Sequence, residues 1–113
     1  MIELDSLEML ERMLQASQEK VIMLLKHSNT CPISSMAFES YKALDEAEIN
    51  HAPRYLVVVQ KHRELSQQIA TTLKVAHQSP QLIVIRGAEA QGHISHYQIR
   101  PKKVLSLLSE AAL

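Results

Sequence analysis

The sequence is poor in residue types that several classes of protein require. Its 113 residues include no tryptophan, one phenylalanine, three tyrosines, two glycines and a single cysteine. One cysteine excludes an intramolecular disulfide, and two isolated glycines exclude a glycine-rich phosphate-binding loop. Twelve Lys and Arg residues are balanced by twelve Asp and Glu residues. A neutral chain with so few aromatic rings is poorly suited to nucleic acid, so we expect no nucleic-acid partner.

No stretch of the chain is apolar over a length that predicts membrane insertion. The longest apolar run, residues 21–25, is far shorter than the roughly 20 residues of a membrane helix. Residues 1–5 are acidic and lack the basic and apolar regions of a signal peptide. Together with the single cysteine, these features predict a cytoplasmic protein whose thiol stays reduced. The length suits one domain over residues 1–113.

Apolar patterns along the chain alternate between helical and extended spacing. They predict four helices: one that begins at Asp5 or Ser6, one over residues 33–47, one over residues 64–73 and one that begins at Pro101. They predict strands over residues 21–25, 55–59, 81–86 and 90–95. Methionines, among them Met36 on the second helix, are expected to fill the core. The order is that of an α/β thioredoxin-like fold: a central four-stranded mixed sheet flanked by helices, with an extra N-terminal helix.

The single cysteine, Cys31, lies where a predicted strand gives way to a helix. Pro32 is typical of the first position of a helix. Unpaired N–H groups and the positive end of the helix dipole favour a thiolate there, and cysteines so placed in other proteins have pKa values of about 3.5–7.5. A thiolate is the nucleophile in disulfide exchange. We therefore predict that Cys31 is catalytic; the alternative is a buried cysteine that serves as a small apolar side chain.

Ser34 stands where a C-x-x-C motif would have its second cysteine. A protein with two thiols resolves its own mixed disulfide, whereas this chain must wait for an outside thiol. We predict that the backbone amides of Ile33 and Ser34 support the thiolate and that the Ser34 hydroxyl can donate a hydrogen bond to the sulfur. Lys26 and His27 would add positive potential if their side chains point inward.

Ser79-Pro80 immediately precedes the third predicted strand. Thioredoxin-like folds place a cis-proline at this point, beside the catalytic cysteine, although only about 5–6% of X-Pro bonds in folded proteins are cis. A cis bond would leave the backbone groups of Ser79 free to pair with an incoming chain. We expect Ser79, Pro80 and Thr30 to shape the substrate site.

The six histidines do not form a metal-binding pattern. His93 and His96 are three residues apart in a predicted strand, so they would face opposite sides. One cysteine cannot build a usual structural zinc site, and we expect no metal. His96, near the end of the predicted hairpin, is the histidine that could contact a ligand.

Three segments resemble the monothiol bacilliredoxin C family. Residues 26–34, with the letters KHSNTCPIS, look like its signature, and residues 79–81 and 95–99 resemble its cis-proline and C-terminal segments. The resemblance implies a cytosolic thiol–disulfide oxidoreductase that removes bacillithiol, a glucosamine-linked cysteine thiol, from modified protein cysteines. It implies that Cys31 carries bacillithiol as a mixed disulfide. Bacillithiol would then be a co-substrate, with no bound cofactor, and bacillithiolated client proteins would be the partners.

Two other functions agree with the same residues. The scaffold could be a non-catalytic adaptor that binds a partner through its sheet edge and helix surface, with Cys31 inert. It could also be a monothiol reductase that uses another small thiol, such as glutathione. A thiol titration distinguishes the adaptor, and release rates with different thiols distinguish the second reductase.

Overall fold

A five-stranded mixed sheet forms the centre of the molecule in the computed structural model, which describes residues 1–112. The strands are β1 Ile2–Glu3, β2 Ile22–His27, β3 Arg54–Val58, β4 Gln81–Arg86 and β5 Glu89–Ser95. The helices are α1 Leu7–Ala16, α2 Pro32–Lys42, α3 Arg63–Leu73 and α4 Pro101–Ala112. Within residues 1–112, no helix has both the length and the apolar composition that crossing a bilayer requires.

The strands lie in the order β1-β3-β2-β4-β5. β3 pairs in parallel with β1 and β2, whereas β4 is antiparallel to both β2 and β5. This arrangement confirms the predicted thioredoxin-like fold and adds one edge strand to the predicted four. The added strand has two residues, too few for a sequence pattern, and the neighbouring Leu4 anchors it because its N–H donates to the Leu56 carbonyl at 2.7 Å.

Helices cover both faces of the sheet, which explains why β2 is continuously apolar from Ile22 to Leu25 rather than alternating. Met23 and Leu25 of β2 pack in one cluster with α2 and α4. Ile22 and Leu24 pack in the other with α1 and α3. Neighbouring residues of β2 therefore belong to different layers. The same alternation applies to Lys26 and His27 at the end of the strand.

Helix α2 ends at Lys42, five residues before the predicted end. The Arg54 guanidinium donates to the carbonyls of Tyr41, Lys42 and Leu44 at 3.0–3.3 Å, which satisfies the acceptors that a helix terminus leaves free. Because Arg54 is distant in sequence, the local pattern did not reveal this stop. The core position predicted for Met36 is also wrong, since its side chain is 67% exposed.

Candidate active site around Cys31

Cys31 occupies the N-cap position of α2, with an extended backbone (φ −108°, ψ 119°) and Pro32 directly after it. Its carbonyl accepts the N–H of Ser35 at 3.0 Å, which closes the first helical turn. Among residues 1–112, the amides of Ile33 and Ser34 have no hydrogen-bond acceptor, as is usual in a first turn. Cys31 as a residue is partly exposed. A partly exposed cysteine therefore lies at the positive end of a helix.

Ser34 is buried beneath this turn and pairs with residues on the far side of the loop. Its Oγ accepts the N–H of Ser28 at 2.9 Å and lies 2.7 Å from Nδ1 of His27. The predicted hydrogen bond from Ser34 to the Cys31 sulfur is not found among the described residues, because the hydroxyl is engaged with these two groups. Ser34 thus joins the start of α2 to the end of β2.

His27 packs against an aromatic ring, and its surroundings disfavour the protonated form. Its ring lies 4.7 Å from the ring of Phe38. The pKa of His27 lies below its usual value, mainly because the side chain is buried. The hydrogen bond with Ser34 raises the pKa, and the nearby charge of Lys42 lowers it further. At neutral pH His27 therefore does not add the positive charge that the sequence suggested.

Lys26 points to the opposite face of the sheet from His27, since successive residues of a strand alternate. Its side chain is 0% exposed, and its Nζ donates to the Ser66 carbonyl at 3.3 Å and lies 3.2 Å from Nδ1 of His77. Burial lowers the pKa of Lys26 to about 8. Burial and the charge of Lys26 also lower the pKa of His77. The two predicted basic neighbours of Cys31 therefore lie in different layers and differ in charge.

We expect the free energy of unfolding to increase as the pH rises above neutrality, because Lys26 loses its proton more readily in the folded protein. The amine binds its proton less tightly in the folded state, with a pKa of about 8, than when unfolded, with a pKa of 10.5. The unfolded chain therefore binds more protons between these values, and the free energy of unfolding increases across that window. Between about pH 7 and about pH 9.5 the gain should be about 2 kcal/mol.

Urea unfolding at several pH values measures this gain, and Lys26→Met is the comparison because methionine fills similar space without a titrating group. The Lys26→Met protein should show a much flatter pH dependence over the same interval. An equal gain in both proteins would contradict the assignment.

Gln60 was missed by the sequence analysis, and its side-chain amide holds the loop before Cys31. Its Oε1 accepts the N–H of Asn29 at 3.0 Å, and its Nε2 donates to the hydroxyls of Ser28 at 2.6 Å and Thr30 at 3.1 Å. Gln60 lies in the turn between β3 and α3, some 30 residues away in sequence. No local pattern marks such a residue, because only the parallel pairing of β2 and β3 brings it to the loop.

Replacing Gln60 with methionine should loosen this loop, since methionine has a similar shape and makes none of the three hydrogen bonds. We expect a loss of about 1–2 kcal/mol in the free energy of unfolding and faster hydrogen exchange at the Asn29 amide. Gln68→Met, on the exposed side of α3, is the matched control. Equal exchange rates at Asn29 in the two variants would show that Gln60 does not restrain the loop.

The peptide bond between Ser79 and Pro80 is cis. Because β4 runs antiparallel to β2, with Gln81 opposite Lys26, the start of β4 and the loop after β2 meet at one end of the sheet. The Pro80 carbonyl accepts the N–H of His96 at 3.0 Å, which joins the proline loop to the exposed 3₁₀ turn His96–Gln98. The structure therefore brings Ser79, Pro80 and the His96 turn to the same end of the sheet as Cys31.

Metal binding has no structural support in the described part of the chain. No group of three or more His, Cys, Asp or Glu side chains within residues 1–112 is arranged to hold a metal ion. His93 is exposed on β5, and His96 lies beyond the end of that strand.

Comparisons with solved structures define the class of protein. The thioredoxin of Fasciola hepatica matches with a TM-score of 0.78 and 16% identity over 96% of this chain and 97% of its own. A Schistosoma mansoni thioredoxin pre-protein matches with a TM-score of 0.76 and 21% identity, over 96% and 95%. A structure described as a candidate oxidoreductase with a thioredoxin fold matches with a TM-score of 0.83 and 29% identity, over 94% and 91%. The fold is thus that of thioredoxin.

The family model of the monothiol bacilliredoxin BrxC matches residues 2–104, which is most of the chain. The chain therefore belongs to the monothiol bacilliredoxin family. This finding confirms the resemblance noted in residues 26–34, and with the thioredoxin fold it supports a thiol oxidoreductase in general.

Proposed function

We propose that this protein removes bacillithiol from bacillithiolated protein cysteines, with Cys31 as its nucleophile. The observation that carries the proposal is one partly exposed cysteine at the N-terminus of α2, at the end of the sheet where cis-Pro80 precedes β4. The helix terminus favours a thiolate there, and the family match adds support. The absence of a second cysteine favours removal of a small thiol over reduction of client disulfides. We propose the cytoplasm as the place of action, because thiols stay reduced there.

The exchange takes place in two steps, each forming one S–S bond and breaking another. The Cys31 thiolate first attacks the bacillithiol sulfur of the client's mixed disulfide. The client cysteine leaves as a thiolate and takes up a proton. A second low-molecular-weight thiolate then attacks the bacillithiol sulfur that is joined to Cys31. The Cys31 sulfur leaves as a thiolate. The second thiol is the reductant, and it ends in a disulfide with the released bacillithiol.

The other predicted site residues support these steps from around the sulfur. The amides of Ile33 and Ser34 stabilise the thiolate from the first turn of α2. Thr30, held by Gln60, and Ser79-Pro80 form the borders of the substrate site. Backbone groups of Ser79 pair in this proposal with an extended client segment, as an added strand would. Bacillithiol acts as a co-substrate, and the chemistry requires no bound cofactor.

Intact-mass measurement tests the proposal directly. The reduced protein is incubated with bacillithiol disulfide and, separately, with a single-cysteine protein that carries bacillithiol. In both cases we expect a gain of one bacillithiol on Cys31, followed by its loss when free bacillithiol is added. Absence of the Cys31 adduct in both reactions would overturn the proposal.

Two further measurements separate the other functions that agree with the fold. Release of the adduct by glutathione at a rate equal to or above that with bacillithiol would assign a different physiological thiol. Alkylation of Cys31 at neutral pH should be faster than that of an unstructured cysteine peptide. Slow alkylation would favour an adaptor with an inert thiol.

A further inference from the structure

A cleft of about 390 Å³ opens beside the loop that carries Cys31. Ser28 and Gln60 line it, and both belong to the hydrogen-bonded loop that precedes Cys31. Ser79, directly before Pro80, also lines it. The lining thus includes residues of the loop before Cys31 and of the proline loop, so the cleft adjoins the cysteine without including it. The charge and hydrogen-bonding groups of its lining could therefore select which small thiol reacts at Cys31.

Among the described residues, the lining of the cleft carries basic groups and no carboxylate. Arg63 lies at the first turn of α3, and His77 lies before the proline loop. The Nζ of Lys26 contacts two lining residues from behind: His77, and Ser66 through its carbonyl. Among residues 1–112, no carboxylate lies within ion-pair distance of Lys26 or Arg63. A buried amine without an anionic partner is costly, so this wall of the cleft is complementary to a negatively charged ligand.

Two hydroxyl groups of the lining add a second, independent indication of a ligand. Ser66 is 2% exposed, and its Oγ has no hydrogen-bond partner within residues 1–112. The Oγ of Ser79 is likewise buried and unpartnered. Buried polar groups are nearly always paired in native proteins. Both residues line the cleft, and hydroxyls donate readily to carboxylate oxygens, so an anionic group that reached them would satisfy them.

We propose that this cleft binds a carboxylate of the low-molecular-weight thiol while the sulfur of that thiol is joined to Cys31. Arg63 and Lys26 supply the positive charge, and Ser66 supplies a hydrogen bond. The ligand class is a small thiol with at least one carboxylate. The inference rests on the proposed exchange at Cys31 and adds the residues that select its co-substrate.

Three symmetric disulfides test the selection: dithiodipropionate with carboxylates, bis(hydroxyethyl) disulfide without charge, and cystamine with ammonium groups. The measured quantity is the rate of Cys31 adduct formation for each. Each rate is divided by the rate at which free mercaptoethanol reacts with the same disulfide, which removes differences in intrinsic reactivity. We expect a preference of about tenfold for the carboxylate disulfide over the neutral one, reduced by high salt.

Arg63→Gln should lower this preference by about threefold or more, whereas Lys61→Gln is the matched control. Lys61 is exposed two residues earlier and does not line the cleft, so its loss should change the preference less than twofold. Lys26→Met should also lower the preference. If that variant fails to fold, the comparison of Arg63→Gln with Lys61→Gln still decides the matter.

Carbon-13 NMR of the Lys26 side chain provides a readout that a purely structural lysine would not give. In the carboxylate adduct its pKa should lie above that in the neutral adduct, because the anion stabilises the ammonium form. Equal pKa values in the two adducts, or equal normalised rates with all three disulfides, would overturn the carboxylate subsite. Failure to form any Cys31 adduct would instead overturn the exchange reaction itself, so the two failures are distinguishable.

Discussion

The Cys31→Ser protein is expected to form no bacillithiol adduct and to release no bacillithiol from a modified protein above the uncatalysed rate. A hydroxyl at this position keeps the shape of the side chain but remains protonated and does not attack a disulfide sulfur at neutral pH. Because Cys31 is the chain's single cysteine, no other thiol can replace it. The measurement is intact mass together with the rate of bacillithiol release from a modified protein.

The same variant should keep its fold, which makes the loss of activity interpretable. Within residues 1–112, the Cys31 side chain makes no capping hydrogen bond to α2. Serine is among the residues most favoured at that position, and a cap is worth about 1 kcal/mol. Thermal unfolding should therefore show equal or higher stability. Retained release activity in a folded Cys31→Ser protein would contradict the assignment of Cys31 as nucleophile.

The Ser34→Cys protein is expected to resolve its own mixed disulfide. Its new thiol would lie in the first turn of the helix that begins at Cys31, as in a C-x-x-C motif, and an intramolecular thiol acts at a high effective concentration. We expect the lifetime of the Cys31 adduct to fall by about a hundredfold or more. Quenched samples taken over time and analysed by intact mass should show the adduct replaced by an intramolecular disulfide between Cys31 and the introduced thiol.

Ser34→Ala is the matched control for this change. Both substitutions remove the hydroxyl that accepts the N–H of Ser28 and pairs with His27. Each should therefore lower the free energy of unfolding by about 1–3 kcal/mol, and only the cysteine variant should shorten the life of the adduct. A similarly short life in Ser34→Ala would attribute the effect to the loosened loop rather than to a resolving thiol.

The arrangement around Cys31 was predictable where its causes are local. Pro32 marks the start of α2, and a cysteine one residue earlier must lie at the N-terminus whatever the rest of the chain does. The run from residue 81 to 86 also appears as β4 with the predicted bounds. Elements of this kind are specified by neighbours within a few residues, so a single sequence suffices to find them.

The polar partners around the site were not predictable, because they depend on how the strand ends and loops pack in three dimensions. Ser34 was expected to bond the sulfur, but its hydroxyl is hydrogen-bonded to His27 at the end of β2 and to the Ser28 amide. Gln60 reaches the loop from the turn after β3. Met36 was assigned to the core from its residue type, whereas the face of α2 that it occupies is exposed.

The sequence by itself determined the order of the four helices and the four longer strands, the position of the thiol at a helix start and the need for an outside thiol, since Ser34 cannot resolve a disulfide. These follow from periodicity, proline stereochemistry and residue identity, which act over short distances along the chain. The tertiary structure alone decided that Lys26 and His27 face opposite layers with different partners, and that a cleft lined by Arg63 and His77 adjoins the cysteine loop. The contacts of Lys26 with His77 and of Gln60 with Thr30 join segments 51 and 30 residues apart, and only the packed sheet and helices bring those segments together.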